Sequence, residues 1–400
     1  MQPRIPFNKP FIAGKELHYI AQAVTLGNIA SDGYFTEKCS RILEERYGIH
    51  KVLMTPSCTA ALEMAAILCD LRPGDEVILP SFTFVSTASA FVRLGAKPVF
   101  IDIRPDTLNI DENLIEAAIT PKTRAIFPVH YAGVACDMDR IMAIAKKHNL
   151  LVVEDAAQGV NAFYDGRALG SIGHFGTYSF HETKNYICGE GGALCINSPE
   201  MVERAEIIRD KGTNRKQFFR GQVDKYTWVD LGSSYVLSEI CCAFLYGQLE
   251  MLDAIAARRR EIYQFYRPRL KPLEAAALLR LPSIPENCLS NYHLLYLLLP
   301  DVSIRNELLD FLKQSGIEAV FHYVPLHSSP IGRRFGYKDG DLPITEDLSG
   351  RLLRLPFYYE ITEAEQKHVV EQLTSFLERR VVPAGMSLER VLHTSEGGLL

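Results

Sequence analysis

Residues 52–71 read VLMTPSCTAALEMAAILCDL. Four strand-favouring residues run into a Pro-Ser-Cys-Thr turn, and apolar positions then recur at helical spacing. The same unit repeats along the first half of the chain. VILP at 77–80 precedes TASAFVRLG, PVFIDI at 98–103 precedes ENLIEAAI, AIFPVH at 125–130 leads to DRIMAIAKKHN, and LLVVED follows at 150–155. Strands apolar on both faces, alternating with helices, imply a mainly parallel sheet covered by helices, and so an α/β fold.

Beyond about residue 250 the pattern changes. A basic helix around MLDAIAARRREIYQFYRPRL, a strand in YHLLYLLLP, a helix in RNELLDFLKQSG and a further strand in IEAVFHYVP predict a smaller α+β domain. The expected division is a large domain over 1–250, a small C-terminal domain over 251–378 and a peripheral tail over 379–400.

Composition narrows the partners. The 400 residues are 47% hydrophobic and carry a net charge of −5 from 43 basic and 48 acidic residues. No long basic block offers a footprint for nucleic acid or anionic lipid, so a small-molecule partner is expected. The opening MQPRIPFNKP lacks the apolar stretch of a secretion signal, and runs such as LLYLLLP are too short to span a bilayer, which predicts a cytoplasmic protein without a membrane partner. Nine cysteines form no CxxC pair and no Cys/His ligand spacing, so reduced thiols and no metal site are expected.

In open parallel sheets ligands bind beyond the carboxyl ends of the strands. After VLMT, Ser57, Cys58 and Thr59 open a helix whose free amides and hydroxyls suit a phosphate. After VILP, Phe82 and Phe84 offer an aromatic face. After LLVVE come Asp155 and Gln158, and in TYSFHETKNY, ahead of GEGG, stands Lys184. Each has a structural reading too: an N-cap, core aromatics, a capping acid, a solvated lysine. Together they match what pyridoxal phosphate requires: a phosphate cradle, a ring-stacking aromatic, a carboxylate for the pyridine nitrogen and a lysine for covalent attachment.

PSCTAAL, PSFTFVSTA, VEDAAQ and SFHETKNYICGEGG resemble the successive motifs of the DegT/DnrJ/EryC1/StrS sugar aminotransferase family. The similarity runs from about Arg4 to Leu377. It implies the type I pyridoxal-phosphate fold, with a seven-stranded-type sheet in the large domain. It also implies Lys184 as the cofactor lysine and proton carrier, Asp155 on the pyridine nitrogen, Gln158 near the phenolic oxygen, Phe84 over the ring, and Cys58, Thr59 and Ser179 on the phosphate. Ser234, in LGSSYVLSE at 231–239, stands where many relatives place an asparagine that reaches the partner's phosphate, which implies a homodimer or a dimer of dimers. Tyr323 and His327 resemble the family's Y-x-P-L-H segment beside the substrate, and Lys211 and Arg215 in KGTNR are offered as anion ligands.

Longer strings, including HYAGVACDMD and KGTNRKQFFRGQVDKYTW, resemble the branch that aminates a dTDP-sugar for enterobacterial common antigen. That implies transfer from L-glutamate to C4 of dTDP-4-dehydro-6-deoxy-D-glucose. The alternatives are a nucleotide-sugar aminotransferase giving an equatorial 4-amine or a 3-amine, and a non-catalytic cofactor-binding regulator. The dehydratase branch replaces the lysine by histidine and is disfavoured by Lys184.

Overall fold

The structure, a computed structural model, describes residues 5–380. The segment 381–400, most of the expected tail, lies outside the described residues.

Within the run that opens the chain's first strand, Val52 and Met54 pack into one core while Leu53 packs into another. This is the two-residue alternation of a pleated strand buried on both faces. Seven such strands form one sheet: Lys51–Thr55 (β1), Glu76–Pro80 (β2), Lys97–Ile101 (β3), Thr123–Ile126 (β4), Leu151–Asp155 (β5), Phe175–Ser179 (β6) and Gly192–Ile196 (β7). Their spatial order is β1-β7-β6-β5-β4-β2-β3, and β7 runs antiparallel to both of its neighbours while the pairs from β6 through β3 are parallel. The expected mainly parallel α/β sheet is observed.

Helices cover both faces. Cys39, Leu43, Ile141, Leu245 and Leu249 meet one side through helices Tyr34–Tyr47, Met138–His148 and Glu239–Leu249. Leu62, Ala65 and Phe91, from helices Cys58–Leu68 and Val85–Val92, meet the other. Because β1, β2, β5 and β6 all point the same way, the residues that follow them emerge along one edge. Ser57, Phe84, Asp155 and Ser179 are thereby gathered from distant parts of the chain.

The long helix Leu252–Ala275 leads to a separate core, in which Ile262, Tyr266, Leu297, Leu308, Leu353 and Leu373 are buried. Its two-stranded sheet pairs Tyr296–Leu298 (β8) antiparallel with Leu352–Arg354 (β9), and helices Val302–Gln314 and Glu363–Glu378 pack beside it. The strand expected in IEAVFHYVP does not form. That segment makes isolated bridges at Ile317 and Val320, after which residues 321–324 turn to line a cavity and Pro325 has no amide to continue a ladder. No single helix among the described residues is long and apolar enough to cross a membrane, and all nine cysteines are unpaired.

β7 presses closely on the turn after β1. A Cβ on Gly192 would lie 2.4 Å from both the Cys58 amide nitrogen and the Ser57 carbonyl carbon, backbone atoms that cannot swing aside. Gly192→Ala is therefore expected to lower stability by about 1–3 kcal/mol through overpacking. Urea unfolding checks this, and an unchanged midpoint would show that the start of helix Cys58–Leu68 is not fixed by β7.

Candidate active site

A cavity of ≈ 760 Å³ lies over the carboxyl edge of the sheet, between it and the segments that carry residues 320–324 and 354–357. Its floor begins at Ser57, the N-cap of helix Cys58–Leu68. The Ser57 hydroxyl accepts from the Ala60 amide at 3.1 Å and its carbonyl accepts from the Ala61 amide at 3.2 Å. The amides of Cys58 and Thr59 are left without an acceptor among the described residues, and both residues line the cavity. Burial pushes the Cys58 thiol's pKa up, so it is a neutral thiol, and its backbone amide is the group with something to offer an anion. Thr59 Oγ1 and Ser86 Oγ lie 2.7 Å apart, and Ser179 adds a third hydroxyl at the end of β6. Orphan amides at a helix start, ringed by hydroxyls, make a cradle that fits a phosphate.

Two carboxylates end β5 and point to opposite sides. Glu154 is fully buried and accepts from the amides of Gly170 at 2.8 Å, Ile172 at 2.7 Å and Gly173 at 2.6 Å. His130 completes its shell at 2.9 Å. The His130 Nδ1 accepts from the Cys136 amide, so the proton shared with Glu154 sits on Nε2. Asp155 faces the cavity, with Oδ2 accepting from the Thr87 hydroxyl at 2.7 Å and Oδ1 from the Ala157 amide at 3.1 Å. These two donors fix its orientation and leave acceptor capacity directed into the cavity.

Lys184 reaches the same space from the turn after β6, where its amide bonds the His181 carbonyl at 2.9 Å. Burial lowers its pKa from the usual lysine value, with the Arg354 charge acting in the same direction and Cys58 and Asp155 opposing. A lowered pKa leaves more of the amine neutral at a given pH, as a nucleophile or base requires. Gln158 is held from both sides, its oxygen accepting from the Ala132 amide at 2.7 Å and its nitrogen donating to the Tyr323 hydroxyl at 3.0 Å. Phe84 caps helix Val85–Val92 at the cavity wall, 57% exposed, a free aromatic face 6.4 Å from the Tyr323 ring.

The cavity thus brings together Cys58, Thr59, Phe84, Asp155, Gln158, Ser179, Lys184 and Tyr323. It does not include the rest of the expected set. The expectation that His327 contacts substrate is corrected: the ring is fully buried behind the wall, with Nδ1 bonded to Ser81 Oγ at 2.7 Å and Nε2 to Glu346 at 2.9 Å. Lys211 and Arg215 are exposed beside Asp210, at 2.9 and 3.7 Å, outside this cavity. Ser234, expected to serve a partner's site, is exposed on the same segment and bridges to Asp210.

Among the groups of the site that were not anticipated are Thr87, buried behind Asp155, and His322 and Arg354 on the cavity wall. Thr87 stands one helical turn beyond Phe84, a spacing that could have disclosed it. His322 bonds the Tyr131 hydroxyl at 3.0 Å and stacks 3.5 Å from the Tyr323 ring, and burial keeps it neutral. Arg354 interrupts the apolar run LLRLPFYY, where an arginine is costly unless something pairs with it.

The model of the DegT/DnrJ/EryC1/StrS aminotransferase family matches residues 10–374. A "pleiotropic regulatory protein" of Geobacillus stearothermophilus is 39% identical over 79% of this chain and 82% of its own length. The GDP-perosamine synthase of Caulobacter vibrioides is 32% identical over 94% of this chain and 99% of its own. Among solved structures, Spr1654 of Streptococcus pneumoniae, known in PLP and PMP forms, superposes with a TM-score of 0.87 at 27% identity, covering 94% of this chain and all of its own in both forms. The fold is that of the type I pyridoxal-phosphate aminotransferases, and the cofactor of the family, pyridoxal phosphate, fits the cradle, carboxylate and lysine found here.

Removing the Thr87 hydroxyl tests how Asp155 is held. Thr87→Val is expected to weaken pyridoxal-phosphate binding to the apoprotein by roughly tenfold, the worth of one hydrogen bond to a charged group. Fluorescence titration measures it, and an unchanged Kd would show that the Ala157 amide suffices.

Proposed function

The chain belongs to the DegT/DnrJ/EryC1/StrS aminotransferase family, and from that premise we propose that it transfers the amino group of L-glutamate to C4 of dTDP-4-dehydro-6-deoxy-D-glucose, giving dTDP-4-amino-4,6-dideoxy-D-galactose and 2-oxoglutarate. A pyridoxal-phosphate-dependent sugar aminotransferase is what family membership establishes. The particular sugar, with its dTDP carrier and its place in enterobacterial common antigen, rests on the long sequence strings that resemble that branch. The observation that most supports the reading is the single cavity that Lys184, Asp155, Cys58 and Thr59 line together.

Bound pyridoxal phosphate supplies the electron sink and stores the amino group between half-reactions. The protein supplies position and proton transfer. The Cys58 and Thr59 amides and the Ser179 hydroxyl would hold the phosphate, Asp155 would keep a proton on the ring nitrogen, and Phe84 would cover one ring face. Gln158, already fixed by Ala132 and Tyr323, would hold the phenolic oxygen. Lys184 Nζ would take the proton from Cα of the donor. In the second half-reaction it would deliver a proton to C4 of the sugar. Its burial-lowered pKa favours the neutral amine needed for the first of these transfers. Tyr323 stands beside Gln158 at the wall where the sugar ring would lie.

A homodimer is part of the proposal. Trp228 is 75% exposed, Phe219 68% and Leu231 60%, an apolar skin around Lys211, Arg215 and Ser234 that a second copy would cover. Those three polar residues would then face the partner's cavity, Ser234 toward the cofactor phosphate and the two cations toward the substrate's diphosphate.

A second reading, a cofactor-binding regulator, draws on the name of the Geobacillus relative. It expects a yellow protein that glutamate does not bleach. The proposed enzyme is instead expected to bleach with L-glutamate and then to aminate the keto sugar, with an axial C4 amine in the product by NMR. An equatorial or C3 amine would redirect the substrate assignment. Lys184→Ala should lower turnover by roughly three or more powers of ten while the fold survives. Substantial residual turnover would remove Lys184 from the proton path.

A further inference from the structure

His293 interrupts the apolar stretch that leads into β8, and Leu294 and Leu295 after it are buried. Its ring lines the active-site cavity, as does Lys184. The segment around it is fixed from two sides. Arg259, itself buried on helix Leu252–Ala275, donates from Nε to the Tyr292 carbonyl at 3.0 Å and from Nη2 to the His293 carbonyl. Asn291 donates to the carbonyls of Gln158 and Val160, both at 2.8 Å, which ties the segment to the turn after β5. The imidazole meets Asn185, the residue next to Lys184. Asn185 Oδ1 lies 2.9 Å from His293 Nδ1, and Asn185 Nδ2 donates to the Asn291 carbonyl at 3.1 Å.

These contacts decide the tautomer. The Asn291 carbonyl can only accept, so the Asn185 amide nitrogen faces it and the amide oxygen faces the imidazole. His293 Nδ1 therefore carries the proton and donates, and Nε2 keeps its lone pair. Burial keeps the ring neutral, with Lys184, Arg259, His322 and Arg354 around it acting the same way. Nε2 bonds to no group among the described residues and is not sealed off, so it opens on the cavity as an acceptor.

Lys184 presents the matching need. Its Nζ donates to no group among the described residues, and an amine that has taken the Cα proton is an ammonium with three donors in a desolvated place. Other acceptors of the wall are engaged or stand at its rim. Asp155 serves the ring nitrogen in the reading above, the Gln158 oxygen accepts from the Ala132 amide, and Thr183 and Glu190 are exposed. His322 shares its Nδ1 with the Tyr131 hydroxyl, and the Arg354 charge acts on it more strongly than Lys184 does. On His293 the strongest charge is that of Lys184, and the Asn185 contact fixes the ring relative to the backbone that carries the lysine.

We propose that His293 is a positioning residue whose Nε2 accepts a hydrogen bond from the Lys184 ammonium, holding the lysine over the reacting carbons between taking a proton and giving it back. This rests on the aminotransferase reading above.

The test uses two replacements that divide the imidazole. In His293→Asn the side-chain amide can still donate to Asn185, as Nδ1 does, and nothing reaches the place of Nε2. In His293→Gln the longer side chain brings an oxygen to that place and gives up the Asn185 contact. Cofactor absorbance and unfolding temperature check that each variant folds. The first readout is made on apoprotein, by acetic anhydride labelling across pH with the Lys184 peptide followed by mass spectrometry. An acceptor that stabilises the ammonium delays the appearance of reactive amine as pH rises. His293→Asn should therefore move the labelling profile to lower pH, with a rate about tenfold higher below the midpoint, and His293→Gln should stay within about twofold of wild type. Cys58, Asp155 and Arg354, which also act on Lys184, are the same in all three proteins. The second readout is single-turnover bleaching of holoenzyme by L-glutamate. Its rate should fall about tenfold in His293→Asn at an unchanged glutamate Kd, with a larger isotope effect from α-deuterated glutamate, and His293→Gln should restore it to within about threefold of wild type.

An unmoved labelling profile in His293→Asn overturns the assignment. So does a Gln variant impaired as much as the Asn variant or more, which would leave the Asn185 contact as the ring's whole role. Normal bleaching with a loss confined to the sugar half-reaction also overturns it, by placing a sugar hydroxyl at Nε2. If His293→Asn does not fold, His293→Met, of similar bulk and without a strong acceptor, takes its place under the same criteria. A wild-type holoenzyme that glutamate does not bleach overturns the proposed function and this inference with it, whereas an unaffected His293→Asn beside a responsive wild type overturns the inference alone.

Discussion

Two consecutive carboxylates, Glu154 and Asp155, end the strand at the centre of the sheet, and burying them is the constraint around which the site is organised. A buried carboxylate needs a full shell of donors or a cation, and the pleat sends these two to opposite faces. Glu154 is satisfied entirely by the protein, through three amides of the 170–173 turn and His130. That shell locks the turn before β6 to the end of β5, and β6 in turn carries Ser179 and the loop bearing Lys184. Asp155 is satisfied only in part, by Thr87 and Ala157, and its remaining capacity opens on the cavity. One acid fixes the frame and its neighbour faces the cavity.

The large-domain sheet was legible in the sequence because its strands are short apolar runs closed by turns, and the direction of those strands follows from the helices between them. From that direction alone, the residues after β1, β2, β5 and β6 had to share an edge, which is why Cys58, Thr59, Phe84, Asp155 and Gln158 could be singled out before their geometry was known. What escaped depended on tertiary contacts. The segment 317–325 has strand-like residues, yet its later part is committed to the cavity wall. His327 has the residue type of a substrate ligand, but Ser81 and Glu346, distant in sequence, occupy both ring nitrogens. Lys211, Arg215 and Ser234 look like ligands and lie outside their own chain's cavity, a placement that no local pattern discloses. Arg354 was hidden for the opposite reason, since an isolated arginine in an apolar run gives no hint of which space it faces.

The cavity divides its tasks between the two cores. The sheet edge offers the phosphate cradle, the acid and the lysine on short turns held by backbone hydrogen bonds. The later part of the chain offers Tyr323, His322 and Arg354 from a wall beside which Ile5 bridges Ile317 and Phe7 lies under the Arg354 guanidinium. Groups that would hold the cofactor are therefore set by the large sheet, while Tyr323, His322 and Arg354 stand on segments outside that sheet.

The central claim is that the cofactor is carried by Lys184 over the carboxyl edge of the sheet. Borohydride reduction of the cofactor-loaded protein, followed by digestion and mass spectrometry, tests it directly by fixing the attachment point. A single pyridoxyl group on the peptide containing Lys184 is the predicted result. Stoichiometric modification of a different lysine, or none at all with cofactor bound, would contradict the account.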